Sequence, residues 1–329
     1  MITIAKASAS RRSRAQARTS RRNEAPADEP GTPSVVAGGV MLGDSSICIH
    51  KLYLYHARAS RATVNSAEFI HRAAHLESTT VPAASYDAIA MAPRVALILP
   101  ALDEEQNVAA MLDELARATQ LDGLPGLALA QIIVVDNGST DRTAAVARER
   151  GAQVVLEPRR GYGQACLAGI AAVEPQADII AFMDADGSDD PAELSRLIAP
   201  IECGEADLVL GSRVLGQRET GSLTPQQQFG NLLATFLMRV FYGARFTDLG
   251  PFRAIRRDAL DRIGMRDTNF GWTTEMQIKA TQHRLRILEI PARHRRRRGG
   301  KSKIAGSIRG SLLAAAKIIW TILRYRLSS

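Results

Sequence analysis

Short apolar runs recur between residues 94 and 210, and segments with a helical period separate most of them. Runs of this length without strict alternation are typical of strands buried on both faces of a sheet. The runs are 95–99, 131–135, 153–156, 178–183 and 207–210, and the helical segments are 104–119, 140–150 and 163–173. This alternation predicts an α/β fold built on a doubly wound, mostly parallel sheet.

Polar segments follow three of the predicted strands directly, at residues 100–105, 136–141 and 184–190. In a doubly wound sheet, ligands bind beyond the carboxyl ends of the parallel strands. The three segments are therefore expected to meet in one crevice, which is the predicted functional site.

Asp184 and Asp186 are the clearest chemical signal in these segments, because they place two carboxylates one residue apart at the end of a buried run. The two charges repel each other, and a divalent cation would remove the repulsion while bridging two phosphates of a ligand. Mg²⁺ and Mn²⁺ suit carboxylate oxygens. An acidic turn that caps a helix would show the same spacing, so the metal prediction depends on the two companion strand ends.

Each companion segment allows two interpretations. Asp136 is placed to accept hydrogen bonds from a nucleotide base or ribose, although a tight turn before a helix explains Gly138 and Ser139 behind it. Glu104 is a candidate nucleotide contact, or simply an acid in a first helical turn. Arg160 precedes a helix in the sequence Arg-Arg-Gly-Tyr-Gly, where the glycines would let a phosphate approach closely.

The chain carries a formal charge of +8 with a pI near 9.7, which indicates an anionic partner. The densest basic run is 294–303, and such runs commonly bind nucleic acid. No aromatic side chain is interleaved there for base stacking, so nucleic acid is not the expected partner. The three cysteines lack CxxC spacing, which fits a reducing, cytoplasmic compartment.

Residues 1–90 differ from the rest of the chain. Arginines scattered among Ala, Ser and Thr precede a Pro/Gly-rich stretch, without a sustained helical or strand period. This composition predicts disorder. The alternative is that Met91, just before the first strand, is the native start and that residues 1–90 are an over-extended gene start. No function is assigned to them.

Residues 311–327 are apolar except for Lys317, Arg324 and Arg326. On a helix, Lys317, Thr321 and Arg324 share one polar stripe, since spacings of four and seven return to the same face. The pattern predicts an amphipathic helix that lies at a membrane interface or packs on its own domain. No apolar stretch reaches the ~20 residues of a membrane-spanning helix, so the expected localisation is cytoplasmic, with peripheral contact to the inner face of the membrane.

Motifs in a collinear order resemble family 2 glycosyltransferases of the GT-A fold. PALDEEQNV, VVDNGSTDRT, RRGYGQA and FMDADGSDDP resemble the nucleotide-binding half of that family. The later DLGPFRAIRRDAL, GWTTEMQIKA and RRRRGGKSKIAG resemble its polyprenyl-phosphate branch, the dolichyl-phosphate mannose or glucose synthase type. The resemblance covers residues 94–310 and implies a Rossmann-like GT-A domain at 91–310, followed by the amphipathic helix at 311–329.

Two positions depart from the family pattern. Asp103 stands where Asn is usual, and Asn137 stands where a second Asp is common. Both replacements are near-isosteric, so nucleotide binding is still expected. The QxxRW signature of processive polysaccharide synthases is missing, which disfavours a chain-building synthase.

The resemblance implies roles for individual residues. The residues implied to bind the nucleotide sugar are Pro100, Ala101, Leu102, Glu104, Asp136, Arg160, Asp184 and Ala185. Asp184 and Asp186 would hold Mg²⁺ or Mn²⁺ on the diphosphate, and Asp186 would be catalytic. The residues implied to bind the acceptor phosphate or the leaving diphosphate are Arg213, Arg253, Arg297, Lys301, Ser302 and Lys303.

Glu275 is the second residue predicted to be catalytic, and its role depends on the acceptor. For a hydroxyl acceptor it would be the general base. A phosphate acceptor is largely dianionic at neutral pH and needs no base, so Glu275 would then orient the donor sugar. The simpler alternative is a solvated acid at a helix start.

The expected function is metal-assisted transfer of a hexose, with inversion, from a UDP- or GDP-sugar to a polyprenyl phosphate. One alternative is transfer to a soluble hydroxyl acceptor with Glu275 as base. The alternative from another class is a basic nucleic-acid-binding protein.

Overall fold

The computed structural model describes residues 93–121, 129–300 and 308–327. The predicted amino-terminal extension lies outside the described residues, as do Lys301, Ser302 and Lys303 of the predicted phosphate-binding set. The described ranges cover most of the predicted sheet domain and of the carboxyl-terminal helix.

Within these ranges the chain forms a sheet of seven strands flanked by α-helices. The strands are β1 (Val95–Ala101), β2 (Leu129–Asp136), β3 (Gln153–Leu156), β4 (Ile179–Phe182), β5 (Leu208–Ser212), β6 (Arg253–Arg256) and β7 (Ile287–Pro291). The helices are α1 (Glu105–Leu121), α2 (Thr143–Glu149), α3 (Tyr162–Ala171), α4 (Leu194–Glu202), α5 (Pro225–Tyr242), α6 (Arg257–Ile263), α7 (Trp272–Gln282) and α8 (Ile308–Leu327).

The strand order is β3-β2-β1-β4-β6-β5-β7. β6 runs antiparallel to both of its neighbours, and every other pairing is parallel. The prediction of a doubly wound, mostly parallel α/β sheet is therefore confirmed. β6 and β7 have no counterpart among the predicted strands because neither is a continuous apolar run: β6 begins with Arg253, and Glu289 is the centre of β7.

Helices cover both faces of the sheet, and successive strand residues point to opposite sides. Leu97 and Leu99 of β1 belong to a core layer with α1, α2 and α4, whereas Ile98 belongs to a layer with α3, α6 and α7. Trp272 of the second layer is fully buried and lies edge-on to Phe182, with ring centroids 4.7 Å apart. Both faces of the central strands are buried from solvent, which explains their uninterrupted apolar sequences.

Gly161 and Gly163, at the start of α3, allow the backbone of residues 267–268 to approach closely. A Cβ atom on Gly163 would lie 2.1 Å from the carbonyl oxygen of Asp267, and one on Gly161 would lie 2.2 Å from that of Thr268. Gly161 also has a φ of +149°, which favours glycine. The space predicted for a phosphate beside these glycines is thus occupied by protein backbone.

The carboxyl-terminal helix α8 turns Lys317 and Thr321 of its predicted polar stripe toward the domain, whereas Arg324 of the same stripe is exposed. Lys317 pairs with the buried Asp267, with 2.8 Å between Nζ and Oδ2, and Thr321 is 2% exposed. One turn further along, the Tyr325 hydroxyl donates a hydrogen bond to the carboxylate of Glu275 in α7. The helix therefore packs on the sheet domain with the side that a water-exposed amphipathic helix would turn to solvent.

Two helices in contact, α5 and α8, each expose an apolar face. The Tyr242 hydroxyl of α5 donates to the carbonyl oxygen of Ile322 in α8 at 2.6 Å, and the helices share a small apolar core. The large apolar side chains exposed on α5 are Phe229, Leu232, Phe236 and Val240. Those exposed on α8 are Leu313, Trp320, Leu323 and Leu327. No helix within the described ranges combines the length and hydropathy needed to cross a bilayer.

The packing at Gly163 gives a stability prediction. Replacing Gly163 with Ala should lower the free energy of unfolding by about 3 kcal/mol, because the new methyl group overlaps a carbonyl oxygen that cannot easily move. Urea denaturation followed by circular dichroism measures the change. Gly230→Ala is the control, since a Cβ atom there meets nothing within 4 Å. The interpretation fails if the two variants are equally stable.

Candidate active site

Three strand ends meet at one edge of the sheet. β1 pairs in parallel with β2, so that Ala101 lies opposite Asp136, and β4 pairs in parallel with the other side of β1. The segments that follow β1, β2 and β4 therefore start from neighbouring strands, as predicted. β1 itself extends through Pro100 and Ala101 instead of stopping at Pro100.

The segments after β1 and β2 are joined by hydrogen bonds. Asp103 accepts from the backbone N–H of Thr140 at 2.8 Å, and its own N–H donates to Ser139 Oγ at 2.9 Å. The N–H of Glu104 donates to Thr143 Oγ1 at 2.7 Å. Asp103 has a φ of +51°, a conformation that Asp and Asn tolerate better than most residues. Either residue is therefore compatible with this position.

Asp136 and Asn137 differ in what occupies their side chains. Asp136 is buried and accepts the N–H of Ser139 at 2.7 Å, so part of its role is to close the turn after β2. Asn137 donates to the carbonyl oxygens of Glu157 and Arg159 and accepts the N–H of Gly161. A carboxylate could not make both donations, which gives a physical reason for Asn at this position.

Asp184 and Asp186 follow β4 at the centre of the three strand ends. Burial, together with the nearby charges of Asp186 and Asp189, raises the pKa of the Asp184 carboxyl well above its usual range. Asp186 accepts the N–H of Ser188 at 2.9 Å and keeps its second oxygen for other partners. A divalent cation at this pair would relieve the repulsion that raises the pKa of Asp184.

The ligand set at this pair fits Mg²⁺ or Mn²⁺. Within the described ranges, no group of three or more His, Cys, Asp and Glu side chains is arranged to hold a metal ion. Two carboxylates are nevertheless enough for Mg²⁺, which commonly takes its other ligands from substrate phosphates and water. Asp184 and Asp186 could therefore hold the cation together with a ligand that brings its own phosphates.

The basic segment 293–298 lies across the same edge of the sheet. Arg297 donates to Asp186 Oδ2 at 3.2 Å and pairs through its other terminal nitrogen with Glu104. Arg295 and Arg298 both pair with Glu114 of α1. Several ion pairs therefore hold this basic segment to the domain as far as Arg298.

A cavity of about 670 Å³ opens beside Asp184 and Asp186. The ionisable side chains that line it are Tyr162, Asp184, Asp186, Arg213, His294, Arg296 and Arg297. Helix α5 contributes the polar residues Gln226, Gln227 and Asn231, and α8 contributes Ala314, Ala315 and Ile318. Leu249 and Phe270 add further apolar lining, so a ligand that fills the cavity would contact charged, uncharged polar and apolar groups.

The sequence comparison identifies the family. The family described as glycosyl transferase family 2 matches residues 96–264. The chain belongs to this family. An uncharacterised glycosyltransferase of Mycobacterium tuberculosis is 38% identical over 222 residues, covering 67% of this chain and 94% of that protein. The undecaprenyl-phosphate mannosyltransferase of Micrococcus luteus is 29% identical over 228 residues, covering 66% of this chain and 90% of that protein.

Solved structures with a similar fold include the glucosyl-3-phosphoglycerate synthase of Mycobacterium tuberculosis in complex with Mn²⁺, UDP and glucosyl-3-phosphoglycerate. It is 25% identical with a TM-score of 0.54, and the match covers 70% of this chain and 79% of that chain. The prediction of a GT-A glycosyltransferase that uses a nucleotide sugar is confirmed at the level of the family. The predicted cofactor, Mg²⁺ or Mn²⁺, agrees with the Mn²⁺ in that complex.

Asp184, Asp186, Arg213 and Arg297 are the predicted residues that line the cavity within the described ranges. Arg213 lines the cavity and forms a bidentate pair with Asp248, at 2.7 and 2.8 Å. Burial alone would raise the pKa of Asp248. The Arg213 guanidinium nevertheless holds this pKa below its usual value. Arg160 is exposed and donates to the carbonyl oxygen of Gly138 in the turn after β2. Ala185 is buried in the core, so only its backbone could contact a nucleotide.

Arg253 does not reach the cavity, in contrast to the prediction. Its side chain is fully buried and donates to the carbonyl oxygens of Gly250 and Thr273. Burial lowers the pKa of its guanidinium to about 10, and the guanidinium lies 6.0 Å from the ring centroid of Trp272. Arg253 therefore holds two backbone segments beneath the cavity and cannot bind an acceptor phosphate directly.

Glu275 also differs from its predicted role. It is 0% exposed, and its carboxylate accepts the N–H groups of Arg266 and Asp267, the Tyr325 hydroxyl and the Lys279 ammonium at 2.7 Å. A carboxylate enclosed by these donors has no access to substrate. The prediction that Glu275 is a catalytic base, or orients the donor sugar, is wrong for this geometry, and Glu275 connects α7 to α8.

His294, Gln227 and Asn231 line the cavity but have no role among the predictions. His294 is 4% exposed, and its Nδ1 lies 3.7 Å from Asp189 Oδ1 without a hydrogen bond. Gln227 and Asn231 line the cavity from the start of α5. In the sequence, His294 stands at the start of a run of arginines, so it was interpreted only as part of a basic segment. Gln227 and Asn231 lie in a stretch without a recognised motif.

The two carboxylates predicted to be catalytic should behave in opposite ways when changed to amides. Glu275→Gln should lower the free energy of unfolding by about 2–4 kcal/mol, because a buried amide cannot accept from all four donors. The folded fraction should keep most of its activity. Asp186→Asn should leave the stability nearly unchanged and abolish most transfer. Thermal unfolding and sugar transfer measure both properties, and loss of activity in a well-folded Glu275→Gln variant would restore its catalytic role.

Proposed function

We propose that this family 2 enzyme transfers a hexose from a UDP- or GDP-sugar to a polyprenyl phosphate at the cytoplasmic face of a membrane. The acceptor phosphate oxygen attacks the anomeric carbon in line, the nucleoside diphosphate leaves, and the configuration is inverted. The segments after β1 and β2 hold the nucleotide. Asp184 and Asp186 hold Mg²⁺ or Mn²⁺, which stabilises the charge of the leaving diphosphate when it is bound.

The observation that carries the proposal is the inverted polarity of α8 beside the cavity. A helix of a water-soluble domain turns its polar side outward, whereas α8 directs Lys317 to the buried Asp267, buries Thr321, and exposes Trp320 at 58% and Leu327 at 84%. The neighbouring helix α5 exposes Phe229 at 67%. A bilayer interface is an environment in which aromatic and aliphatic outer faces are favourable, and Arg324 and Arg326 at the end of α8 suit anionic headgroups.

The cavity fits an amphipathic acceptor. Its charged residues would receive the phosphate near the donor, and its apolar residues, which include Leu249, Phe270 and Ile318, would contact the first part of a hydrocarbon chain. The rest of the chain would remain in the membrane against the exposed faces of these helices. A polyprenyl phosphate combines a phosphate with a hydrocarbon chain, whereas a small soluble acceptor has no hydrocarbon chain to contact the apolar residues of the cavity.

The carboxylates near the cavity also favour a phosphate acceptor. Among the described residues, Asp184 and Asp186 are the carboxylates that line it, and both are assigned to the metal. Glu275 is buried elsewhere. A hydroxyl acceptor needs a base, but a phosphate with a second pKa of ~6 is already largely dianionic at neutral pH. A phosphate nucleophile therefore needs no base, whereas a hydroxyl acceptor would have to rely on His294, whose imidazole lines the cavity.

The relatives support two acceptor classes. The Micrococcus luteus relative is named as an undecaprenyl-phosphate mannosyltransferase, which agrees with the lipid acceptor. The structural neighbour that contains glucosyl-3-phosphoglycerate favours the second candidate function, transfer to a soluble phosphorylated hydroxyl acceptor. The apolar surface of α5 and α8 favours the first.

A transfer assay tests the reaction. The enzyme is incubated with Mn²⁺, a polyprenyl phosphate and radiolabelled UDP-glucose, UDP-GlcNAc or GDP-mannose, and label from one donor should partition into organic solvent. Asp186→Asn should reduce the rate by about 100-fold or more. Asp113→Asn, on the surface of α1, is the control. Label that appears only in water-soluble product from phosphoglycerate-type acceptors would establish the second candidate instead.

A vesicle assay tests the surface. The wild-type protein should co-sediment with vesicles that contain anionic lipid. The triple variant Phe229→Ser, Leu232→Ser, Phe236→Ser should bind at least about tenfold more weakly, because it removes the apolar groups that would enter the interface. Leu156→Ser changes an exposed leucine of β3 and should bind normally.

Gel filtration without lipid tests whether the exposed apolar face of α5 and α8 is instead a dimer interface. If the wild-type protein is a dimer that does not bind vesicles and the triple variant is a monomer, the face is an interface between two copies of the chain. That result would remove the membrane part of the proposal.

A further inference from the structure

Arg297 lies between the two acidic groups of the donor site, and its position has a consequence for the order of binding. We propose that Arg297 neutralises the metal-binding carboxylate of Asp186 while the donor is absent, and exchanges this partner for the donor diphosphate when the donor binds. The proposal rests on the proposed metal site at Asp184 and Asp186. It makes metal and donor bind as a pair, because metal alone must compete with the guanidinium.

The contacts of Arg297 define the exchange. Nη1 donates to Asp186 Oδ2 at 3.2 Å, and Nη2 pairs with Glu104 Oε2. Nε donates to the carbonyl oxygen of Gly299 at 2.7 Å. One guanidinium thus bridges the acidic group after β4 and the acidic group after β1. A cation bound to the same oxygen of Asp186 would bring two positive centres together.

The bridge is sheltered from solvent. The exposed fractions of the side chains are 17% for Arg297, 7% for Glu104 and 19% for Asp186. Ion pairs at this depth are screened less than surface pairs, and the guanidinium makes charge-assisted hydrogen bonds to both carboxylates. Arg297 is therefore a competitor that a lone divalent cation has to displace.

A diphosphate changes this balance. It offers pairs of anionic oxygens that the planar guanidinium can bind through two parallel hydrogen bonds, as it binds carboxylates. It also completes the ligand set of the metal. When Arg297 turns to the diphosphate, Asp186 becomes available to the metal, so each ligand favours the binding of the other.

The exchange requires only the side chain of Arg297 to move. The segment around it is held independently, since Arg295 pairs with Glu114 and Asp190, and Arg298 pairs with Glu114. Gly299 is also held from the other side, because Asn107 donates to its carbonyl oxygen at 3.2 Å. A guanidinium on a fixed backbone can thus change partners without opening the site.

Metal binding without catalysis tests the exchange. Free Mn²⁺ is measured by electron paramagnetic resonance during titration of the full-length protein, with no nucleotide, with UDP and with GDP. Without nucleotide, Arg297→Gln should bind Mn²⁺ about tenfold more tightly than wild type, since the competitor is gone. With saturating Mn²⁺, the same variant should bind the nucleoside diphosphate about tenfold more weakly.

Arg298→Gln is the matched control, because it removes the same charge from the same segment but pairs with Glu114 outside the cavity. It should change both affinities much less. Arg297→Lys keeps the charge but replaces the two separate terminal nitrogens with one ammonium, which fits two carboxylates less well, so its Mn²⁺ affinity should lie between those of wild type and Arg297→Gln.

Two results would overturn the exchange alone: Mn²⁺ binding by Arg297→Gln that is unchanged or weaker, or a tightening in Arg298→Gln of equal size. Failure of the wild-type protein to bind Mn²⁺ even with UDP or GDP would overturn the metal site, and with it the part of the proposed function on which the exchange rests.

Discussion

Negative charge accumulates at the carboxyl ends of β1 and β4, and the arginines of 293–298 balance it. Glu104, Asp186 and Asp190 each pair with an arginine of this segment, and so does Glu114 of α1. The partners are separated by roughly 100 to 190 positions along the chain, so the balance exists only after β7 has joined the sheet beside β5. The charge balance of the site is thus a property of the complete fold, since it joins segments that are distant in the sequence.

The second half of the site is organised by Glu275 instead of by a strand end. This buried carboxylate collects hydrogen bonds from residues 266–267 and from Tyr325, and so fixes α8 against α7. Helix α8 is thus held both by polar contacts and by the buried Ile322, while Leu313, Trp320, Leu323 and Leu327 are exposed. The same contacts place Ala314, Ala315 and Ile318 in the cavity wall.

The first half of the fold could be predicted from the sequence because buried parallel strands leave a direct trace. Ile132, Ile133, Val134 and Val135 form one continuous run, and the polar residues that follow such runs must lie at the same edge of the sheet. β6 could not be recognised in this way, since Arg253 is a charged residue that the fold buries completely. Nothing in a single sequence distinguishes it from a surface arginine.

The roles of Glu275 and Lys317 were equally hidden, for a different reason. The sequence pattern shows that α8 is amphipathic but not which face turns inward, because burial depends on partners from elsewhere in the chain. Asp267 and Glu275 are those partners. In the sequence alone, Glu275 was interpreted as a catalytic residue and not as a partner of α8. The same spacing of polar residues is compatible with both arrangements.

The inward polar face of α8 also affects how the protein could be shortened. Removing the last residues to reduce the exposed apolar surface would delete Tyr325. The buried Glu275 carboxylate would then lose one of its hydrogen-bond donors. A cut before Lys317 would in addition strip Asp267 of its cation and take away Ile318 from the cavity wall. The carboxyl-terminal helix therefore cannot be removed without changing the wall of the cavity.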